Sequence, residues 1–101
     1  MKGIVWGNTL DRAIKKLEEI KQNYLKYTKE ILVQETKDSF TMSNGDYWKA
    51  VNVPTAARGY KCNISYIDVS IPYQDINMIV TPATTAYPYC GYKYFDFMEE
   101  E

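Results

Sequence analysis

The residues best suited to chemistry in this chain lie between residues 44 and 68, where aromatic rings, cationic side chains and turn-forming residues alternate. Tyr47, Trp48 and Lys49 are consecutive, and Arg58 follows a short irregular segment. A planar ring can stack on a nucleobase, and a guanidinium group makes charge-assisted hydrogen bonds to phosphate. This segment therefore predicts a binding surface for a nucleotide-like ligand.

Further candidates are polar or aromatic side chains that could complete such a surface. Lysines can contact phosphate, and asparagine and threonine side chains can contact sugar hydroxyls. The predicted ligand-binding set is Arg58, Trp48, Tyr47, Tyr60, Lys61, Asn63, Lys49, Thr84 and Thr85. A structural role competes for the aromatic members, Trp48 above all, because tyrosine and tryptophan favour strands for packing reasons alone.

The sequence gives little support for catalysis. It has no histidine, which removes the commonest general base and the Ser-His and Cys-His nucleophile pairs. It also has no GxxxxGK[ST] loop and no GxGxxG turn for a nucleotide phosphate. Asp68 and Asp75 could hold a metal, but aspartate at a strand end is usually a turn residue. We expect a binding protein that is not an enzyme and has no cofactor.

Length and charge narrow the class of protein. A chain of 101 residues predicts one domain, 1–101, small enough that association with a second copy would stabilise it. The net charge of −1 gives no support to a partner that is long nucleic acid or a membrane surface. No transmembrane run or signal-peptide pattern is present, so we expect a cytoplasmic protein in which Cys62 and Cys90 are reduced.

The clearest predicted element is a long amphipathic helix near the N-terminus. Residues 2–6 predict a first strand, and Asn8 or Thr9 can cap the helix that follows. Apolar residues then recur at three- and four-residue steps, which produces a stripe that can pack on a sheet or on a second copy. The stripe consists of Leu10, Ala13, Ile14, Leu17, Ile20, Tyr24 and Tyr27.

Extended segments follow this helix. Residues 31–43 lead into Asn44-Gly45, which predicts a two-residue hairpin turn because both residues tolerate a positive φ. Residues 60–69 alternate with a period of two, and this pattern places Cys62, Ile64 and Tyr66 on one face of a strand.

Two later segments complete the predicted sheet. Residues 76–81 form a further apolar run, and the tyrosine-rich residues 87–97 can add an edge strand or an arm that reaches a neighbour. A helix followed by successive strands predicts an α+β fold, in which the long N-terminal helix packs on a mainly antiparallel β-sheet. We expect a homo-oligomer.

Residues 58–68, RGYKCNISYID, resemble the segment around the acidic strand of phage terminase ATPases. In that family an arginine-glycine pair precedes an apolar strand that ends in Asp-Glu. Here Val69 follows Asp68, and the phosphate-binding loop is missing. These two differences exclude a working motor ATPase. The resemblance therefore implies, at most, a relic of that fold kept as a binding scaffold.

The chain as a whole resembles the small phage proteins that defeat Thoeris immunity by sequestering cyclic ADP-ribose signals. The resemblance rests on overall size, on element order and on the stretches WGNTLDRAIKKLEEI, NGDYWKA and ARGYKCNISYID. It implies a homo-oligomeric sponge that binds the signal, and in some members cyclic oligonucleotides, at subunit interfaces without cutting it. It also implies that Arg58 contacts the ligand.

Two functions from different classes remain open at this point. The first is a phage anti-defence sponge that sequesters a cyclic nucleotide-type signal in the cytosol of the infected bacterium. The second is a small protein-binding inhibitor or adaptor that uses the helix stripe or the tyrosine-rich tail. Tyrosine is common at protein interfaces, so composition does not separate the two.

Overall fold

A six-stranded β-sheet forms the centre of the structure. The computed structural model describes residues 1–55, 61–83 and 91–96, which form an α+β fold. The sheet has the order β2-β3-β4-β1-β5-β6. Its strands are β1 (Lys2–Gly7), β2 (Leu32–Thr36), β3 (Ser39–Met42), β4 (Tyr47–Asn52), β5 (Ile64–Asp68) and β6 (Gly91–Phe95).

The sheet is mixed, which corrects the expectation of a mainly antiparallel one. Strand β1 pairs in parallel with β4 and β5, and β5 pairs in parallel with β6. Only the β2–β3 and β3–β4 pairs are antiparallel among the described strands. Hydrophobic alternation within one strand carries no information on the direction of its partner, so the sequence pattern could not distinguish the two arrangements.

The hairpin at Asn44-Gly45 differs from the predicted two-residue turn, and a further hairpin, for which no turn type was predicted, joins β2 to β3. Thr36 pairs with Ser39, so β2 and β3 are joined by two residues that include no glycine. The β3–β4 loop places only Gly45 at positive φ (92°), and no non-glycine residue among those described has a positive φ. The Gly45 N–H donates to the Met42 carbonyl and the Met42 N–H donates to Asp46, which makes a three-residue loop instead of a two-residue turn.

The long helix α1 (Leu10–Tyr27) confirms the predicted element. Its 18 residues begin after Thr9, whose hydroxyl oxygen accepts a hydrogen bond from the Arg12 N–H at 3.2 Å. This cap satisfies one of the backbone donors at the first turn. The helix packs its stripe on one face of the sheet through Ala13, Leu17 and Ile20, against Val5, Phe40, Met42, Trp48, Ala50 and Phe95.

A second helical segment, which the sequence pattern did not reveal, covers the opposite face. We call residues 73–83 α2; they comprise an α-turn (Tyr73–Asp75), a π-helical stretch (Ile76–Val80) and a second α-turn (Thr81–Ala83). Val80 and Ala83 are buried with Ile4, Trp6, Val51, Val53, Cys62, Ile67 and Ile71. A parallel β5–β6 pair requires a crossover connection, and α2 lies in that connection. The apolar run at 76–81 is therefore helical.

Strand β5 is shorter than predicted, and this changes the surroundings of Cys62. The strand begins at Ile64, so the alternation does not extend back to Cys62. Ile64 and Tyr66 pack on the α1 side, whereas Cys62 is buried on the α2 side with its Sγ 3.3 Å from the Ser65 hydroxyl. Strand β6 lies at the edge of the sheet. For the tyrosine-rich segment we predicted either an edge strand or an arm that reaches a neighbour, and residues 91–95 form the edge strand.

Within the described ranges, no helix combines the length and the apolar character that a membrane crossing demands.

Candidate functional site

Strand alternation separates the aromatic residues that the sequence placed in one site. Trp48 faces α1, together with Ala50, whereas Tyr47 and Lys49 point to the other face of β4. Trp48 is 3% exposed, and its ring packs over Gly3 on the neighbouring strand. A Cβ atom on Gly3 would lie 2.7 Å or less from three ring carbons, so the ring occupies the space that glycine leaves. Trp48 is thus a core residue as well as a candidate ligand contact.

The other described candidates lie away from Trp48. The Nζ atom of Lys2 is 5.9 Å from the centroid of the Tyr47 ring, and the Lys2 N–H donates to the Asn63 side-chain oxygen at 2.8 Å. Lys2 therefore lies between Tyr47 on β4 and Asn63 next to β5. The Nζ atom of Lys49 is 3.8 Å from an Asp38 carboxylate oxygen, and Lys61 is exposed. Arg58, Tyr60, Thr84 and Thr85 lie outside the described residues.

An open groove lies between the C-terminal half of α1 and the sheet. Its volume of about 360 Å³ is at the lower end of the range for small-molecule sites. Trp48 is the described member of the predicted set that reaches it. The lining residues are Ile20, Asn23, Tyr24, Tyr27, Thr28, Trp48 and Tyr66.

Three of these aromatic residues are not in the ligand-binding set that the sequence predicts. The sequence pattern places Tyr24 and Tyr27 at the end of the helix stripe, which can pack on a sheet or on a second copy, and it places Tyr66 on one face of a strand. One feature of the sequence indicates a groove at this end of the helix: the residues of the stripe change from aliphatic to aromatic in its last two turns. Tyr27 is 72% exposed, so the stripe extends past the core into the groove.

A chain of hydrogen bonds connects the helix side and the sheet side of the groove. The indole N–H of Trp48 donates to the Tyr24 hydroxyl at 3.0 Å, and that hydroxyl donates to an Asp46 carboxylate oxygen at 2.8 Å. Burial and the neighbouring Asp46 raise the pKa of Tyr24 to about 12, although the bond from Trp48 acts in the opposite direction. The Tyr24 hydroxyl is therefore protonated at neutral pH, and both rings are kept in fixed orientations.

Tyr66 connects the aromatic groove with two ammonium groups. Its ring meets Trp48 edge to face, with centroids 5.5 Å apart and an interplanar angle of 72°. The Nζ atoms of Lys16 and Lys93 lie 5.6 Å and 6.0 Å from the Tyr66 centroid. Tyr66 lines the groove and both ammonium groups lie beside its ring, so the surroundings of this ring suit a planar ligand that carries negative charge.

No protein-family model matches this chain, and no curated protein sequence matches it. The resemblance to terminase ATPases thus rests on residues 58–68, and the resemblance to the anti-Thoeris proteins rests on overall size, element order and the quoted stretches.

A second polar cluster joins the carboxyl-terminal ends of β1 and β5. The fully buried Asp68 carboxylate accepts two hydrogen bonds from Arg12, through Nε at 2.6 Å and Nη2 at 2.9 Å. It also accepts from the Asn8 N–H at 3.0 Å and from the N–H and hydroxyl of Ser70 at 3.0 Å and 2.8 Å. Burial alone would raise the pKa of Asp68, but these donors lower it to about 2.

This cluster connects the start of α1, through Asn8 and Arg12, to the end of β5. Donors already occupy both oxygens of Asp68, so the carboxylate is engaged in structure and is not presented to a metal together with Asp75. The part of the chain that the structure describes contains no group of three or more histidine, cysteine or acidic side chains placed to hold a metal ion.

Proposed function

We propose that this protein binds a cyclic nucleotide-type signal, such as a cyclic ADP-ribose isomer, in the groove between α1 and the sheet and sequesters it without cleaving it. The observation that supports this proposal is the convergence of four aromatic side chains on one groove of small-molecule size, next to two ammonium groups. These side chains are Tyr24, Tyr27, Trp48 and Tyr66.

The chemistry of such a ligand matches the lining of the groove. Adenine offers a flat face for an aromatic ring, and stacking contributes about 1–3 kcal/mol per base in nucleic-acid complexes. Asn23 offers an amide group to the ribose, and the Thr28 hydroxyl, which already donates to the Tyr24 carbonyl and accepts from the Glu30 N–H, can accept one more hydrogen bond. The ammonium groups of Lys16 and Lys93 can attract the phosphates.

The openness of the groove supports a homo-oligomeric protein. A sponge has to enclose its ligand, since affinity depends on burial as well as on stacking. Tyr27 lies at the rim with most of its side chain in solvent. A second copy that covers this rim would complete the enclosure, in keeping with ligand binding at a subunit interface.

The proposed setting is the cytoplasm of a bacterium during phage infection, where removal of the signal would keep the immune effector inactive. This part of the proposal rests on the resemblance to anti-Thoeris proteins. The alternative of a protein-binding adaptor loses part of its support, because Ala13, Leu17 and Ile20 of the helix stripe are buried within the chain. That part of the stripe is not available to a partner, whereas Tyr27 at its end is exposed.

A retention experiment tests the proposal directly. The purified protein would be incubated with cyclic ADP-ribose isomers and with cyclic di- and trinucleotides, separated from free ligand, and denatured by heat. Mass spectrometry of the released molecule should find intact ligand. A linear product would mean that the protein is an enzyme, and no retention of any candidate would favour the protein-binding alternative.

A matched pair of tyrosine variants assigns binding to the groove. Tyr27 and Tyr73 are 72% and 75% exposed, but Tyr27 lines the groove whereas Tyr73 lies on α2 at the opposite face. Loss of one stacking ring should make Tyr27→Ala bind about 5- to 150-fold more weakly, while Tyr73→Ala should bind like the wild type. Equal affinities of the two variants would refute the groove as the site. Arg58→Ala separately tests the contact that the anti-Thoeris resemblance implies.

A further inference from the structure

We propose that Lys16 and Lys93 form an anion subsite at one end of the groove, so that the phosphate of the ligand lies beside Tyr66 and its base lies toward Tyr27. This inference rests on the proposed function of the groove and adds the direction in which the ligand binds. It also assigns a role to two lysines that the sequence did not single out.

The two lysines come from different elements and meet at one ring. Lys16 lies on α1 and Lys93 lies on β6. Lys93 is directly opposite Tyr66 in the parallel pairing of β6 with β5. Both ammonium groups lie within about 6 Å of the Tyr66 centroid, and Lys16 is also 5.8 Å from the centroid of Phe95. A cation is attracted to the face of an aromatic ring, so these contacts favour a position of both ammonium groups beside Tyr66 before a ligand arrives.

The positions of Lys16 and Tyr27 along α1 support the proposed orientation of the ligand, with its phosphate near Lys16 and its base near Tyr27. Lys16 precedes the lining residue Ile20 by about one helical turn, and Tyr27 follows Ile20 by nearly two turns. At 1.5 Å per residue, Lys16 and Tyr27 are separated by about 16 Å along the helix axis. That span accommodates a base at the Tyr27 end, a sugar in the middle and a phosphate at the lysine end.

The existing partner of Lys16 does not prevent anion binding. The Lys16 Nζ atom is 2.9 Å from a carboxylate oxygen of Glu19, whose side chain is 47% exposed. The Lys16 side chain is 15% exposed and its partner is largely in solvent, so solvent screens the pair in part, and a pyrophosphate with two negative charges can compete with the single carboxylate for Lys16. Lys93 is exposed at the edge strand, where a ligand can reach it from solvent.

The test compares a charged probe with an uncharged one. Cyclic ADP-ribose and adenosine would be titrated into the full-length protein while tryptophan fluorescence is followed, at low and at high salt. Lys93→Glu should weaken cyclic ADP-ribose binding about tenfold at low salt, reduce the salt dependence of binding and leave adenosine binding unchanged. Lys93→Gln should produce a smaller effect in the same direction.

Lys37→Glu is the matched control. It makes the same change in net charge on an exposed lysine, but it lies in the β2–β3 turn, far along the sheet from β6. If Lys93→Glu and Lys37→Glu weaken binding equally, or if Lys93→Glu weakens adenosine as much as cyclic ADP-ribose, the subsite is refuted while the groove stands. If the wild type binds neither probe, the subsite for cyclic ADP-ribose is refuted, and the retention experiment with cyclic di- and trinucleotides decides separately whether the wider ligand class is wrong.

Discussion

Replacing Asp68 with asparagine removes the negative charge at the centre of the polar cluster that joins the ends of β1 and β5. The side chain is fully buried and receives five hydrogen bonds, two of them from the Arg12 guanidinium. Asparagine has nearly the same shape, but its amide group is itself a donor and cannot accept from Arg12 at both positions. Arg12 therefore loses its bidentate partner next to the start of α1.

The pKa of Asp68 sets the part of this stabilisation that depends on pH. Its folded value of about 2 lies below its ordinary value of 3.8, so the folded state favours the ionised form. A tenfold difference in acidity corresponds to about 1.4 kcal/mol, which gives about 2 kcal/mol at neutral pH. Because the pKa is lowered on folding, this contribution is complete above about pH 4 and disappears as the pH falls through 2. Loss of the bidentate contact with Arg12 adds a smaller cost, because Arg12 is 29% exposed and its Nη2 atom also lies 3.6 Å from an Asp96 carboxylate oxygen, and we expect a total of about 3 kcal/mol at pH 7.

Urea denaturation of the wild type and of Asp68→Asn between pH 7 and pH 2.5 measures the contribution of Asp68 ionisation and the cost of losing the contact with Arg12. The difference in the free energy of unfolding should be largest at neutral pH and should shrink as the solution is acidified. Asp38→Asn is the control, because its carboxylate is 39% exposed and lies 3.8 Å from the Lys49 Nζ atom. Such a surface pair contributes about 1 kcal/mol at most.

Two outcomes would refute this reasoning. A difference between wild type and Asp68→Asn that stays constant across the pH range would show that ionisation of Asp68 does not stabilise the fold. A difference as small as that of Asp38→Asn would show that the buried pair with Arg12 contributes no more than a surface contact.

Three further predictions concern packing and capping, and thermal or urea unfolding measures each. Gly3→Ala should destabilise the fold by about 1–3 kcal/mol, because the new Cβ atom overlaps the Trp48 ring; unchanged stability would contradict that contact. Thr9→Ala should cost about 1 kcal/mol by removing the cap of α1, and Thr9→Ser should restore it. Tyr24→Phe should cost about 1–3 kcal/mol, because Asp46 and Trp48 each lose a hydrogen-bond partner; a neutral effect would mean that water replaces the hydroxyl.

Local sequence determined the elements that depend on neighbouring residues. Helix α1 follows from a capping threonine and from an apolar stripe at helical spacing, and both signals lie within one segment. The first strand and the loop at Gly45 were predictable for the same reason. The loop type was not, because Asn44 keeps an ordinary negative φ while only Gly45 adopts a positive one.

Only the tertiary structure decided how these elements combine into a site. Arg12 and Asp68 are 56 residues apart and meet because parallel pairing brings the ends of β1 and β5 together. The groove likewise takes Tyr24 from a helix, and Trp48 and Tyr66 from two different strands. Alternation within a strand predicts which side chains share a face. It does not predict which face receives α1, because strand order and direction depend on contacts between distant segments, and these determine where the aromatic residues converge.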